Sequence, residues 1–253
     1  MRPFHTPREH HVHLFSLARL ARDGEQEALS LLDGAELEAL GRAKAPQRRR
    51  ELLFGRATLR RLLASYAGAG AGEVLIGRDA NAKPCARLED CRPIPSFNVS
   101  HSGDVLAIAL CRHGDIGVDV EQADGRLAID LEGIARSQFA QAEYAVLMRS
   151  PPQQRLDAFY RIWTLKEAIL KATGVGLYHP LNQIDVAEPA RRYAVVLRSP
   201  TGEIGVAARH LLPGAGNLHV AVARQGAIGV VRLFDRRVAA SAERARPADG
   251  PAP

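Results

Sequence analysis

Val105-Leu106-Ala107-Ile108-Ala109-Leu110-Cys111 is a run of seven residues without one charged or hydroxyl-bearing side chain. A run this uniform, with no alternation, makes a strand that is apolar on both faces and has to be covered on both. It follows Phe97-Asn98-Val99-Ser100-His101 across a turn at Ser102-Gly103-Asp104, so the two segments read as a hairpin whose second strand lies in the interior.

Helix and strand signals are interspersed around that hairpin. Val12–Leu20 reads as a strand entering the fold and Gly34–Gly41 as a helix. Gln47–Leu63 reads as a longer helix, with Leu52, Leu59, Leu62 and Leu63 on its apolar face and Gly68, Gly70 and Gly72 ending it. Val74–Ile76 is a short strand, and Asn81–Pro95, with its three prolines, a loop. Ile116–Glu121 is a strand, and Leu127–Phe139, Ala142–Met148 and Leu156–Thr173 are helical. The apolar runs Tyr193–Leu197, Ile204–Ala208, Leu218–Ala223 and Ile228–Phe234 read as antiparallel strands. No steady βαβ alternation emerges, so the class is α+β.

A chain of 253 residues makes one large domain or two small ones. With 46% hydrophobic and 25% charged residues it is not a disordered chain, and no apolar run approaches a membrane span. Met1–His13 has no signal-peptide core, and three cysteines without CxxC spacing fit a reducing, cytoplasmic setting. His5, His10, His11 and His13 match no regular metal spacing and are read as a mobile segment. Beyond Ala240 the composition turns to Ala, Pro, Arg and Gly, so residues 241–253 are expected to be a disordered tail.

The net charge of +6 is unevenly distributed. Arg42–Arg61 holds eight basic residues against one acid, a local +7, whereas Asp115–Glu143 holds seven acids against two arginines. A basic locus followed by an acidic one suits a phosphate-rich ligand together with a cation.

Alternation along Ile116–Glu121 puts Asp119 and Glu121 on one face and Ile116, Val118 and Val120 on the other. Two carboxylates so placed repel one another unless a cation lies between them; alternatively, they form a solvated strand face. In the helix around residue 165, Ile162, Leu165, Ile169 and Ala172 make the buried stripe, while Trp163, Glu167 and Lys171 share the other. That stripe is either a surface Glu–Lys pair or the third carboxylate and the ammonium of a site for magnesium and an anion. Ser100 and His101 have no hydrolase-triad context, and serve either as structural hydrogen-bonding residues or as phosphate contacts.

Lys83-Pro84, Phe97–Gly103, Ile116–Glu121 and Trp163-Thr164-Leu165-Lys166-Glu167-Ala168 with Lys171 together resemble, in order, the motifs of the surfactin-type 4′-phosphopantetheinyl transferases. The arginine-rich segment Arg48–Arg61 is similar to the basic motif of the siderophore branch, the enterobactin-synthase-component-D-like enzymes. The match spans roughly residues 45 to 180, and the family often has glycine where Ala82 precedes Lys83-Pro84.

The resemblance implies a pseudo-dimer of two similar α+β halves (1–113 and 114–240) with coenzyme A in the cleft between them. It implies transfer of the phosphopantetheine arm of coenzyme A to a serine of an acidic apo acyl or peptidyl carrier protein, with release of 3′,5′-ADP, by a monomer. Asp119, Glu121 and Glu167 then match ligands of magnesium (or manganese), and Lys171 a catalytic pyrophosphate contact. Glu167 also matches the group that takes the serine proton, directly or through a water on the metal. Arg48, Arg49, Arg56, Lys83, Pro84, Ser100 and His101 match positions around the nucleotide and its phosphates.

Three other readings compete. A +7 helix and an isoelectric point of 9.6 are also the footprint of a nucleic-acid-binding protein, but the basic segment lacks regular aromatic interleaving and the acidic strand would repel a phosphate backbone. A metal-dependent nuclease commonly carries acid-x-lysine on one strand, whereas Gln122 follows Asp119-Val120-Glu121 here. An inactive carrier-binding relative is the third. Neither nucleic acid nor membrane is an expected partner.

Overall fold

The structure, a computed structural model, describes residues 4–6, 8–22, 24–79, 82–123, 130–174, 179–187, 193–199, 202–212, 217–237 and 246–247. In chain order its strands are β1 (Glu9–Ser16), β2 (Val74–Arg78), β3 (Pro84–Leu88), β4 (Ser96–Ser102), β5 (Val105–Cys111), β6 (Ile116–Gln122), β7 (Tyr193–Ser199), β8 (Gly202–Leu212), β9 (Leu218–Gln225), β10 (Val230–Asp235) and β11 (Arg246–Pro247). Its helices are α1 (Leu17–Leu20), α2 (Glu25–Leu29), α3 (Gly34–Arg42), α4 (Pro46–Ala67), α5 (Leu131–Gln138), α6 (Gln141–Arg149) and α7 (Arg155–Thr173). The class is α+β, as expected. Two compact units emerge: Met1–Phe97 with Asp104–His113 and Val230–Pro253, and Asn98–Gly103 with Gly114–Gly229.

The first unit is built on a sheet ordered β11-β10-β1-β5-β4, of whose last strand only Ser96 and Phe97 belong to this unit. All seven residues of β5 are buried, as their apolar run requires. α4 opens with Pro46, whose missing N–H costs nothing in the first turn, and closes on Gly68 in the left-handed region. Its Leu53, Phe54, Leu59, Leu62 and Leu63 are buried. The basic window is largely compensated within this unit. Buried Arg60 bonds Glu36 at 2.6 Å and Asp33 at 3.3 Å, Arg61 bonds Glu27 at 2.8 Å, and Arg56 bonds Glu36 at 3.4 Å.

Four expectations are corrected here. The first strand runs over Glu9–Ser16 rather than Val12–Leu20, because Ser16 caps α1 through its side chain. His10, His11 and His13 are buried in that strand and not mobile; Glu9 pairs with His11 and Arg232, and the Tyr66 hydroxyl meets both His11 and His13. The stretch read as a loop contains β3, with Pro84 at its first position, where a strand tolerates a missing N–H. β10, read as antiparallel, runs parallel to β1 and is antiparallel only to β11.

The second unit is a fully antiparallel sheet ordered β6-β9-β8-β7 with α7 packed across β6, β9 and β8. Ile162, Leu165, Ala168, Ile169 and Ala172 of α7 join Ala208, Ala221 and Ala223 in one core. Lys166 is wholly buried, its ammonium 2.6 Å from Glu143 and donating to the Leu181 carbonyl at 2.7 Å, which ties α6 and the 181–184 turn to α7. The first part of the predicted Leu127–Phe139 helix lies outside the described residues, and so does the expected tail apart from β11. Among the described residues no helix is long and apolar enough to cross a membrane.

Candidate active site

Gly117 sets the distance between β6 and α7. A Cβ there would stand 2.1 Å from the Ala168 carbonyl oxygen and 2.4 Å from the Ala172 nitrogen, so only glycine lets the helix backbone lie this close. The polar stripe of α7 is thereby laid beside the carboxylates of β6. Ser100, His101, Asp119, Glu121, Trp163, Glu167 and Lys171, with Val99, line one open cavity of about 300 Å³.

Lys171 Nζ lies 2.6 Å from Asp119 Oδ1 and donates to Ser100 Oγ at 3.1 Å; Ser100 Oγ donates to Asp119 Oδ1 at 2.8 Å. Asp119 is 3% exposed, which excludes the solvated-face reading of this strand. Its other oxygen, Oδ2, is buried without a hydrogen-bond partner. Ser102 Oγ donates to Glu121 Oε2 at 2.7 Å. Trp163 stacks on Phe159 with ring centroids 5.7 Å apart, and Phe159 on Phe139 at 5.1 Å, so stacked rings back that wall of the cavity.

The site has too little positive charge for its carboxylates. Burial pushes the Asp119 carboxyl up, and Lys171 and Ser100 only partly offset it. Burial raises Glu121 to about 7, opposed by the Ser102 hydroxyl and reinforced by the charges of Asp119 and Glu167. Glu167 is raised by burial and then by Asp119, with Lys171 acting against both. Three acids against one ammonium leave carboxylate oxygens as a donor set for a hard cation, and the orphaned Asp119 Oδ2 fits that use. Among the described residues no three His, Cys, Asp or Glu side chains converge as a ready-made ligand group.

The remaining sequence candidates lie in the first unit. Arg48 is exposed and 3.3 Å from Glu51, Arg49 donates to the Leu40 carbonyl at 2.7 Å, and Arg56 is held by Glu36. Lys83 donates its backbone N–H to Asp79 Oδ1 at 2.9 Å, next to Pro84 at the start of β3. Ala82 has a φ of 60°, the left-handed region, which is why glycine suits this position. Two residues were missed from the sequence, Asn98 and Ser102. Their signal was the i, i+2 spacing with Ser100, which puts all three side chains on one face of β4.

Residues 115–223, which include Asp119, Glu121, Glu167 and Lys171, match the family model described as the 4′-phosphopantetheinyl transferase superfamily. Residues 22–113 match the model of a 4′-phosphopantetheinyl transferase, N-terminal. The chain is 35% identical over 170 residues to the 4′-phosphopantetheinyl transferase HetI of a Nostoc species, spanning 66% of this chain and 70% of that one. The chain belongs to the 4′-phosphopantetheinyl transferase family. Within the family it is also 36% identical over 148 residues to the 4′-phosphopantetheinyl transferase AcpT of Escherichia coli, 58% of this chain and 70% of AcpT. To the human L-aminoadipate-semialdehyde dehydrogenase-phosphopantetheinyl transferase it is 28% identical over 164 residues, 62% of this chain and 53% of that one. These matches give no support to the nucleic-acid-binding or nuclease readings.

Proposed function

We propose that this chain is a surfactin-type transferase that moves the 4′-phosphopantetheine arm of coenzyme A onto a serine of an apo carrier protein. The observation that carries this reading is the Lys171–Asp119–Ser100 group with its orphaned Asp119 Oδ2, set beside Glu121 and Glu167 in one cavity inside the family match. In the reaction the carrier serine oxygen attacks the phosphorus that bears the pantetheine arm. The bridging P–O bond breaks, and 3′,5′-ADP leaves with its electron pair.

Glu167 accepts the serine proton; its raised affinity for protons brings it nearer the range of an effective base at neutral pH. Lys171, already balanced against Asp119, offers an ammonium to the pyrophosphate oxygens on which charge accumulates. Ser100 and His101 supply a hydroxyl and an imidazole for the nucleotide phosphates, and Lys83, Pro84 and the arginines 48, 49 and 56 belong to the same nucleotide-binding set. Asp119, Glu121 and Glu167 would hold magnesium or manganese, which when bound supplies Lewis-acid neutralisation of the pyrophosphate. The halves 1–113 and 114–240, a cytoplasmic monomer and an acidic carrier partner complete the reading.

The test is incubation of the chain with apo-carrier protein, coenzyme A and Mg²⁺, followed by mass spectrometry of the carrier. A serine-linked phosphopantetheine is expected. No mass gain on any of several acyl and peptidyl carriers would overturn the reading.

A further inference from the structure

β6 is the outer strand of its sheet, paired on one side with β9. The amides on its other side are met by side chains. Asn98 Oδ1 accepts from the Val118 N–H at 2.9 Å, Ser100 Oγ from Val120 at 3.4 Å and Ser102 Oγ from Gln122 at 3.1 Å. Both segments advance by two residues per contact, so one face of residues 98–102 satisfies every second amide of the strand edge. Carboxylates alternate with those amides, and the two serines grip them: Ser100 bonds Asp119, and Ser102 bonds Glu121.

Ser100 shares its hydroxyl with Lys171 and belongs to the binding machinery already described. Ser102 does not line the cavity. Its hydroxyl proton is committed to Glu121 Oε2 and a lone pair to the Gln122 amide, so it ties that carboxylate to the backbone of its own strand. The next residue fixes where Ser102 stands. Gly103 has a φ of 56°, and a Cβ there would fall 2.4 Å from Gln122 Oε1.

We propose that Ser102 is a positioning residue, which holds Glu121 in the orientation that leaves its remaining lone pairs for a divalent cation shared with Asp119 and Glu167. This rests on reading those carboxylates as hard-cation ligands. Hydrogen-bond partners of ligands commonly govern metal affinity by tenfold or more, because they remove the freedom a ligand otherwise loses on binding. A serine that merely covered the strand edge would affect thermal stability and leave metal affinity alone.

The experiment is Mn²⁺ binding by the full chain without coenzyme A, read from the electron paramagnetic resonance of free Mn²⁺, with thermal melts run in parallel. Ser102→Ala is expected to raise the Mn²⁺ Kd about tenfold, and Ser102→Thr, which keeps the hydroxyl, to restore it. Should the alanine variant fail to fold, Ser102→Cys is read instead: it keeps the side-chain size but donates weakly, and an affinity loss is again expected. Unsubstituted affinity in folded alanine or cysteine variants, with weakened binding in Glu121→Gln, overturns the role of Ser102 and leaves the cation reading standing. If the unsubstituted chain binds no Mn²⁺, or Glu121→Gln binds it unchanged, the cation reading and this proposal fall together.

Discussion

At Asp119 one carboxylate is buried against one ammonium and one hydroxyl, with an oxygen left over. Replacement by its neutral isostere separates chemistry from stability. Asp119→Asn removes a buried charge that the fold itself does not need, so its melting temperature should equal or exceed that of the unsubstituted chain while turnover is lost. A destabilised Asp119→Asn, measured by thermal denaturation, would mean that the charge serves the fold. Lys171→Met has the opposite sign. It strips Asp119 of its counter-charge, and stability should fall by about 1–3 kcal/mol, toward the lower end because Lys171 is 29% exposed. Glu121 gives a pH signature. The fold holds its proton up to about 7, against an ordinary carboxylate value of 4.5, so between those values the folded state binds more protons than the unfolded one. Its contribution to stability is complete below the lower value and is lost as pH rises through the upper one. Urea titrations of the cation-free protein across that window should show the decline, and Glu121→Gln should make it shallower, leaving the part that the raised Asp119 and Glu167 carboxyls contribute.

Among the elements, β6 and α7 are held together by a missing side chain. Gly117→Ala forces its Cβ into the Ala168 carbonyl, so the helix must move and carry Glu167 and Lys171 away from Asp119. The expected cost is about 3 kcal/mol in denaturant unfolding, with turnover falling alongside; an unchanged midpoint would show that the helix backbone yields freely. Ala82→Gly should act the other way. With its φ of 60° the alanine is strained, and its removal should stabilise by about 0.5–1 kcal/mol after the flexibility of glycine is counted. These two elements were legible because their signals are local: alternation placed Asp119 and Glu121 on one face, and helical period placed Trp163, Glu167 and Lys171 on one stripe. β1 was not, since a strand carrying Glu9, His10, His11 and His13 looks like solvated chain until Tyr66 and Arg232, far along the sequence, are seen to partner it. The edge contacts of Asn98 and Ser102 stayed hidden for the same reason, because their i, i+2 spacing with Ser100 marks one face of β4 but not the β6 amides that this face meets.

Over the whole molecule, the local +7 of Arg42–Arg61 overstates the cationic surface open to a ligand. Arg56, Arg60 and Arg61 spend their charge on Glu27, Asp33 and Glu36, which lie just upstream in sequence and whose pairing no charge count reveals. What α4 leaves exposed is its N-terminal arginine cluster, Arg48, Arg49 and Arg50. If that cluster draws in coenzyme A or an acidic carrier, reversing the three residues to glutamate should raise KM for one of them more than it lowers kcat, because the reacting groups are untouched. Folding should survive, at a cost of about 1 kcal/mol for the lost Arg49 bond to the Leu40 carbonyl. Salt provides the discriminating control. Attraction between exposed charges is screened, so the difference in KM between the two proteins should shrink as ionic strength rises. A KM that does not change on reversal would make the cluster a solvated face of α4, and a difference insensitive to salt would point to a direct contact in place of steering.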